Sequence, residues 1–146
     1  MNFKILAAGK ASHDYAKLGI AEYIKRLKRY TKCDLQFVKD GSSEDVSERL
    51  LKASKGAYLI TLDERGKDFT STGFAEQIRY LTDAPHIKNV CFLIGASDGH
   101  TETLRQQSDQ LIRLSHMTLM HELALVVLLE QLYRAHTILK GEPYHR

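Results

Sequence analysis

The strongest constraint on the fold of this chain is an apolar segment near its end, residues 120–139, whose spacing predicts one helix. Gly141 follows this segment and Pro143 comes two residues later, which is a typical helix stop signal. Residues 126–129 are all apolar, so apolar groups point in nearly every direction around the helix. A helix that is apolar on all sides must be covered on all sides. The segment therefore predicts the protein core on one side and a second subunit on the other.

Strand-like and helix-like segments alternate along the rest of the chain. We predict strands over residues 2–8, 33–38, 57–62, 90–94 and near 110–115, and helices over residues 14–30, 42–53, 72–81, just after 101, and 120–139. Ser42 and Asp45 form a capping-box pattern at the start of the second helix. Residues 63–67 are predicted to form a charged turn. This alternation favours an α/β fold with a mostly parallel sheet, in a single domain over residues 1–146.

Composition narrows the classes of protein that fit. The chain has 146 residues, 43% of them hydrophobic, and no apolar run approaches the roughly 20 residues that a membrane-spanning helix needs. The first residues carry too little positive charge for a signal peptide, so we expect a cytoplasmic protein with no membrane partner. Cys33 and Cys91 are far apart in sequence. The His121-Glu122 pair lacks the second histidine of a zinc-binding helix, because residue 125 is leucine, and we expect no metal site.

The net charge of +3 is small, but the positive residues are unevenly distributed. One cluster crowds the end of the first predicted helix and comprises Lys25, Arg26, Lys28, Arg29 and Lys32. A second group, Arg134, Lys140 and Arg146, lies toward the C-terminus. Such patches suit the phosphate backbone of a nucleic acid, and a solvated helix face explains the first cluster equally well.

Three unusual loops follow predicted strands, at the end of an open α/β sheet where ligands bind. These loops are residues 62–67, 95–100 and 114–119. Gly95 and Gly99 allow a close approach of the backbone to a ligand, although glycines after strands often serve only as turn formers. The chain has neither the dinucleotide-binding glycine pattern nor that of the phosphate loop.

The chain ends in Tyr144, His145 and Arg146, at a position where most proteins fray. A phenol, an imidazole and a guanidinium together suit an anionic substrate with a ring that can stack. Glu130 is the ionisable residue of interest on the final helix. It either pairs with Arg134 one turn later, or it orients the tail and accepts a proton.

Four segments, in this order, indicate a family. The segments LDERGK, FLIGASDG, LSHMTL and EQLYRAHTILKGEPYHR resemble the RlmH family, also called the YbeA family, which contains the small SPOUT methyltransferases. The resemblance covers essentially the whole chain, and the closing segment is highly specific. It implies an α/β fold with a C-terminal trefoil knot, a homodimer, and methyl transfer from S-adenosylmethionine (SAM) to N3 of a pseudouridine in 23S ribosomal RNA. The implied substrate is the assembled ribosome.

The resemblance also implies site residues, position by position. The implied cofactor pocket comprises Leu62, Gly95, Leu114, Ser115, His116, Met117, Thr118 and Leu119. The tail is expected to enter the active site near the cofactor of the partner subunit. His145 is the first candidate for the base or proton relay, and Glu130 is the second. Arg146 is expected to hold a phosphate or a developing negative charge, and Tyr144 to stack on or hydrogen-bond the base.

Four residues depart from the family pattern: Ala96, Met120, Glu122 and Leu125. The family usually has Gly, Pro, Gln and Arg at these positions. The basic residue lost at position 125 removes an expected phosphate or tail contact beside the pocket. The acidic Glu122 also disfavours contact with a phosphate. Two alternatives therefore stay open: a ribosome- or RNA-binding protein without turnover, and a SAM-dependent methyltransferase of another RNA. The intact tail favours an enzyme over a binding protein.

Overall fold

The computed structural model describes residues 1–146 as five strands and five helices that alternate along the chain. The strands are β1 (Asn2–Ala8), β2 (Lys32–Val38), β3 (Tyr58–Lys67), β4 (Asn89–Ile94) and β5 (Gln110–Ile112). The helices are α1 (Asp14–Leu27), α2 (Ser43–Ala53), α3 (Ser71–Asp83), α4 (Glu102–Gln107) and α5 (His121–Lys140). The predicted alternation is confirmed, and the largest difference lies at the end of β3.

All five strands form one parallel sheet in the order β2-β1-β4-β3-β5. The central strands β1 and β4 are almost continuously buried and apolar, because helices cover both faces of the sheet. This arrangement confirms the predicted α/β fold. It also brings the carboxyl ends of β3, β4 and β5 together at one edge, which we call the carboxyl edge.

The helices divide between the two faces of the sheet. α1, α3 and α5 cover one face over a core that includes Ile78, Phe92 and Leu128. α2 and α4 cover the other face over a smaller core that includes Leu50 and Leu104. The layer of α1 and α5 is therefore separated by the sheet from the layer of α2 and α4.

β3 ends five residues later than predicted. The segment 63–67, predicted to be a turn, continues the strand and pairs with β5 after an irregular register between Leu62 and Lys67. Gly66 allows this pairing, because a Cβ there would lie 2.4 Å from the carbonyl carbon of Ile112. The turn prediction is wrong because these residues are charged and mostly exposed, and so lack the apolar signal of a strand.

α5 is covered only in part by its own chain. The helix buries Leu125, Leu128, Leu129 and Leu132 against the core that it shares with α1 and α3. This burial confirms the predicted core side. Large apolar side chains remain exposed on α1 and around the start of α5, and we call them the apolar patch: Tyr15, Leu18, Met117, Met120 and Leu123.

The predicted helix signals are confirmed at two positions. The Ser42 Oγ accepts a hydrogen bond from the Asp45 N–H at 3.1 Å, and Gly141 ends α5 in the left-handed conformation with φ of 70°. α1 ends at Leu27, three residues before the predicted end. No helix has both the length and the apolar character required to cross a bilayer. No group of three His, Cys, Asp or Glu side chains is placed to hold a metal ion.

Candidate active site

A cavity of about 550 Å³ opens at the carboxyl edge of the sheet. Its walls come from the end of β3, the loop after β4, the loop between β5 and α5, and the first turn of α5. This is the position at which open α/β sheets bind ligands, and the volume lies within the roughly 300–1,000 Å³ of ordinary ligand pockets. The cavity is therefore the first candidate for a cofactor site.

Seven of the eight residues expected in the cofactor pocket line this cavity: Leu62, Gly95, Leu114, Ser115, Met117, Thr118 and Leu119. His116 is the exception, since its side chain is 75% exposed and its Nε2 lies 3.0 Å from the Asp68 carboxylate. The loop thus brings its backbone and its smaller side chains to the cavity and turns the imidazole of His116 away from it.

Gly95 lies against the buried imidazole of His100, a residue that is not among the predicted pocket residues. A Cβ at Gly95 would be 2.8 Å from the His100 Cε1, and His100 is only 6% exposed. Burial lowers the pKa of His100, so the ring is neutral at neutral pH and its Nε2–H donates to the Leu62 carbonyl at 3.0 Å. The buried Nδ1 has no hydrogen-bond partner in the chain. His100 therefore contributes a neutral ring to the cavity wall, with its Nδ1 buried and unpaired.

An ion pair forms the polar side of the cavity. Arg105 Nε donates to Asp63 Oδ2 at 2.8 Å, and both residues line the cavity. Burial raises the pKa of Asp63, but hydrogen bonds from the Arg65 N–H and the Arg105 guanidinium outweigh it and hold the pKa below its ordinary value. The carboxylate is therefore ionised and paired. Sequence reasoning missed this pair because its members are 42 residues apart.

Glu122 and Leu125, two of the four departures from the family pattern, lie away from the cavity. Neither residue lines the cavity, and Leu125 is 2% exposed within the core. Glu122 is 3% exposed, and its Oε1 accepts the backbone N–H groups of Ser12 at 2.5 Å and His13 at 3.1 Å. Glu122 thus satisfies amide donors at the start of α1.

The hydrogen bonds around Glu122 keep its carboxylate ionised. Burial raises its pKa, but the His13 ring at 2.6 Å and the amide groups of His13 and Ser12 more than offset this and lower the pKa to about 2. The pairing ties the first turn of α5, next to the cavity, to the loop before α1.

The C-terminal residues fold back onto α5 and form a second candidate site, which we call the tail cluster. It comprises Tyr23, Glu130, Tyr133, Arg134, Tyr144 and His145. The Tyr144 hydroxyl donates to Glu130 Oε1 at 3.0 Å, and its ring lies 4.7 Å from the Tyr133 ring in an edge-on arrangement. Burial, with hydrogen bonds to Tyr23 and Glu130, raises the pKa of Tyr144. Tyr144 is therefore a protonated donor at neutral pH.

Arg134 organises the rest of the tail cluster. Its Nε donates to Glu130 Oε1 at 3.0 Å, which confirms the pairing expected one helical turn apart. Its Nη1 lies 3.0 Å from His145 Nδ1, and because a guanidinium only donates, this ring nitrogen accepts. Both expected proton acceptors, His145 and Glu130, are therefore engaged by Arg134. Arg146 is exposed and takes part in no ion pair.

The tail cluster and the cavity do not meet within one chain. No tail residue lines the cavity, and Ala124 is the last residue of α5 that does so. Glu130 comes six residues after Ala124, about 9 Å along the helix axis and on a different side of the helix. A single chain therefore holds two separate half-sites.

Comparison with known proteins places the chain in a family. The family model described as "Predicted SPOUT methyltransferase" matches residues 1–145. The chain belongs to the SPOUT methyltransferase family. Within that family it is 42% identical over 146 residues to a ribosomal RNA large subunit methyltransferase H of Thermus thermophilus, covering 100% of this chain and 99% of that relative. The relative of the same name from Deinococcus radiodurans is also 42% identical over 146 residues, with the same coverage.

Solved structures share the SPOUT fold at low sequence identity. A methylase family protein from Haemophilus influenzae superposes with a TM-score of 0.61 and 13% identity, covering 99% of this chain and 70% of that one. A Legionella pneumophila methyltransferase, solved with bound SAM, superposes with a TM-score of 0.50 and 12% identity, covering 92% of this chain and 66% of that one. These likenesses extend the family assignment to the fold.

Proposed function

We propose that this chain transfers a methyl group from SAM to large-subunit ribosomal RNA, at N3 of a pseudouridine in 23S RNA on the assembled ribosome. The observation that carries the proposal is the full-length identity to relatives named for ribosomal RNA methylation. In this proposal residues 1–146 act as one domain in the cytoplasm. Their C-terminal part is threaded in the trefoil knot of the family.

The cavity at the carboxyl edge fits SAM in size and in chemistry. Gly95 lets the backbone approach the ligand without a side chain between them. The neutral His100 packs against Gly95 in the cavity wall, and the loop from Leu114 to Leu119 offers backbone groups and apolar surface. SAM supplies a methyl group on a sulfonium, which is already a strong electrophile. The protein therefore has mainly to hold the acceptor nitrogen in line with it.

A second copy of the chain would join the two half-sites. The apolar patch leaves Leu18 72% and Met117 79% exposed, and such exposed apolar groups mark contact surfaces when they cluster. A two-fold pairing that sets the α1–α5 layers of two copies antiparallel carries the tail of each copy toward the cavity of the other. We therefore propose a homodimer with two composite sites, each built from one cavity and the partner's tail.

The tail cluster then acts on the uracil ring. Because His145 Nδ1 accepts from Arg134, the proton of the neutral ring is on Nε2, which is free to donate to a ring carbonyl. His145 serves as a base only when Arg134 releases Nδ1. Arg146, which has no ion-pair partner, holds the negative charge that develops as N3 loses its proton. Tyr144, a fixed donor, orients the base by stacking or hydrogen bonding.

A binding protein without turnover is the alternative that two departures from the family pattern leave open. That alternative rested on Glu122 and Leu125, and both lie outside the cavity, in packing and capping positions. A methyltransferase of another RNA has the same cavity and tail, so target choice is decided by experiment.

The proposed function is tested with radiolabelled SAM and ribosomes from cells that lack this modification. The expected result is label in N3-methylpseudouridine after digestion to nucleosides, with free 23S RNA as a poorer substrate. Label in a different nucleoside would assign another RNA site. SAM binding without any label, on ribosomes or on other RNA, would contradict the proposal and support the binding protein.

A further inference from the structure

A row of positive side chains lies around the end of α1 and the start of β2. It consists of Lys25, Lys28, Arg29 and Lys32, which we call the basic ridge. All four are exposed, and none takes part in an ion pair. Lys28 and Arg29 lie three and four residues after Lys25, so these three side chains share one side of the helix end. The ridge is therefore a surface with positive charge free for a partner.

The acidic groups near the basic ridge do not neutralise it. Glu22 is paired with Arg26, whose Nε donates to it at 2.8 Å. Glu142 accepts the Tyr30 hydroxyl at 2.5 Å. Asp34, exposed on β2, is the remaining carboxylate in this region. A hydrogen bond from a neutral phenol leaves the charge of Glu142 in place, so the four positive charges face two uncompensated carboxylates, Glu142 and Asp34, and the ridge keeps a net positive charge.

Side-chain contacts fasten the basic ridge to the tail. Tyr30 follows Arg29 directly, and its hydrogen bond to Glu142 holds the base of the tail. That bond raises the pKa of Tyr30 to about 12, so the phenol stays a donor at neutral pH. Two residues before the ridge begins, the hydroxyls of Tyr23 and Tyr144 lie 3.3 Å apart. Wherever the tail is placed, the basic ridge is placed beside it.

We propose that the basic ridge binds the phosphates of the ribosomal RNA that flank the target nucleotide. This inference rests on the proposed function: the contacts that fasten the tail to α1 carry the ridge to the rim of the same composite site. RNA phosphates are closely spaced single charges, and each contact with Lys or Arg releases a condensed counterion. The ridge thus positions the RNA, while the tail and the partner's cavity act on the base.

The test compares two charge reversals of equal size. Lys28→Glu with Arg29→Glu inverts the ridge. Lys52→Glu with Lys55→Glu is the matched control, since both lysines are exposed, unpaired and near the end of α2 on the other face of the sheet. Both variants change the net charge equally and place acidic groups at a helix C-terminus, so their effects on helix stability are matched.

The ridge variant is expected to raise the KM for ribosomes roughly 10-fold or more, with kcat and the Kd for SAM unchanged, and the control is expected to match the wild type. Its binding to ribosomes, followed by co-sedimentation, should depend less on salt, with the slope of log K against log salt reduced by about 2. Equal losses in the two variants, or no loss in the ridge variant, would overturn the proposal.

A second variant and a binding measurement distinguish a failure of the ridge proposal from a loss of folding or of the proposed function. Lys28→Gln with Arg29→Gln removes the charge without adding acid, and it replaces the reversal if the latter shows altered thermal unfolding. If the wild type binds ribosomes but transfers no methyl group, the proposed function fails, while the salt slope of binding still decides whether the ridge contacts RNA.

Discussion

The cavity and the tail cluster lie in the same chain but are built in different ways. The cavity is made by loops at the carboxyl edge, and Gly95 and the neutral His100 give it a wall of backbone and uncharged groups. The tail cluster is made by charged and aromatic side chains on α5, held by Arg134 and Tyr144. The first suits a cofactor that brings its own reactive group, and the second suits the handling of charge on a substrate.

The cavity and the tail cluster are separate within one copy of the chain, so a complete active site is expected to need both from different copies. Neither region alone aligns a methyl donor with a nitrogen acceptor, and the distance along α5 keeps them apart in one copy. Cofactor binding and methyl transfer are therefore separable properties of this chain. A substitution in one region is expected to change one property and to leave the other intact.

Deletion of Tyr144, His145 and Arg146 is expected to have the largest effect. It removes the groups that orient the base and hold the developing charge, so kcat should fall roughly 10²–10⁴-fold. The Kd for SAM should stay near that of the wild type, because no tail residue lines the cavity of its own chain, and the protein should stay folded, because the deleted residues lie outside both cores. Isothermal titration and single-turnover methylation measure the two properties. A truncated protein that still methylates at the wild-type rate would refute the role of the tail.

Gly95→Ala is expected to weaken SAM binding and to leave kcat nearly unchanged, the reverse of the tail deletion. The added methyl group meets His100 at about 2.8 Å and pushes the ring off the Leu62 carbonyl, which costs about 1–3 kcal/mol. The Kd for SAM should rise roughly 10- to 100-fold, and kcat at saturating SAM should change little. A double-mutant cycle with His100→Ala is the control, since the two changes should be non-additive if the clash is the cause. Additive losses would point to a different cause.

Tyr144→Phe is expected to have a smaller effect, confined to the tail cluster. The ring keeps its contact with Tyr133, while the hydrogen bonds to Glu130 and Tyr23 are lost. A loss of about 0.5–1.5 kcal/mol lowers kcat roughly 3- to 10-fold without a change in SAM affinity. Tyr80→Phe, on an exposed tyrosine of α3, is the matched control. A changed Kd for SAM in the Tyr144 variant would show that the tail cluster and the cavity are coupled.

Glu122→Gln is expected to have the smallest effect on activity and a visible effect on acid stability. Because the pKa of Glu122 is lowered from 4.5 to about 2, its contribution to stability is present above pH 4.5 and is lost as the pH falls toward 2. The variant should be less stable than the wild type at neutral pH, and the difference should shrink over that window. Urea unfolding at several pH values measures this, with the exposed Glu48→Gln as control. A pH-independent difference would refute the assignment.

Much of the fold could be predicted from the sequence because the pattern is local. Short apolar strands alternate with capped helices, and Ser42 and Gly141 mark helix ends by chemistry that depends on their nearest neighbours. The end of β3 could not be predicted, because its pairing with β5 depends on the backbone approach between Gly66 and Ile112. A pattern of exposed charges gives no sign of such a long-range contact.

The candidate site also combines features that the sequence predicts with features that it does not. The cavity loops were predictable from the rule for parallel sheets and from the family resemblance. The position of His100 under Gly95 was not, nor was the capping role of Glu122, whose partners lie about 110 residues away in sequence. From the sequence alone, Glu122 is an acidic residue close to the pocket loop. Only the tertiary contacts show that it accepts the backbone amides before α1.

The composite site, with the cavity of one copy and the tail of another, is tested by complementation between two inactive variants. A protein lacking residues 144–146 is mixed with full-length Gly95→Val, each inactive alone, by co-refolding or co-expression. Random pairing puts about half of the protein into mixed dimers, each with one intact composite site, so about a quarter of wild-type methylation should return. No recovery in mixed dimers whose formation is verified would show that cavity and tail work within one chain, and would contradict the composite site.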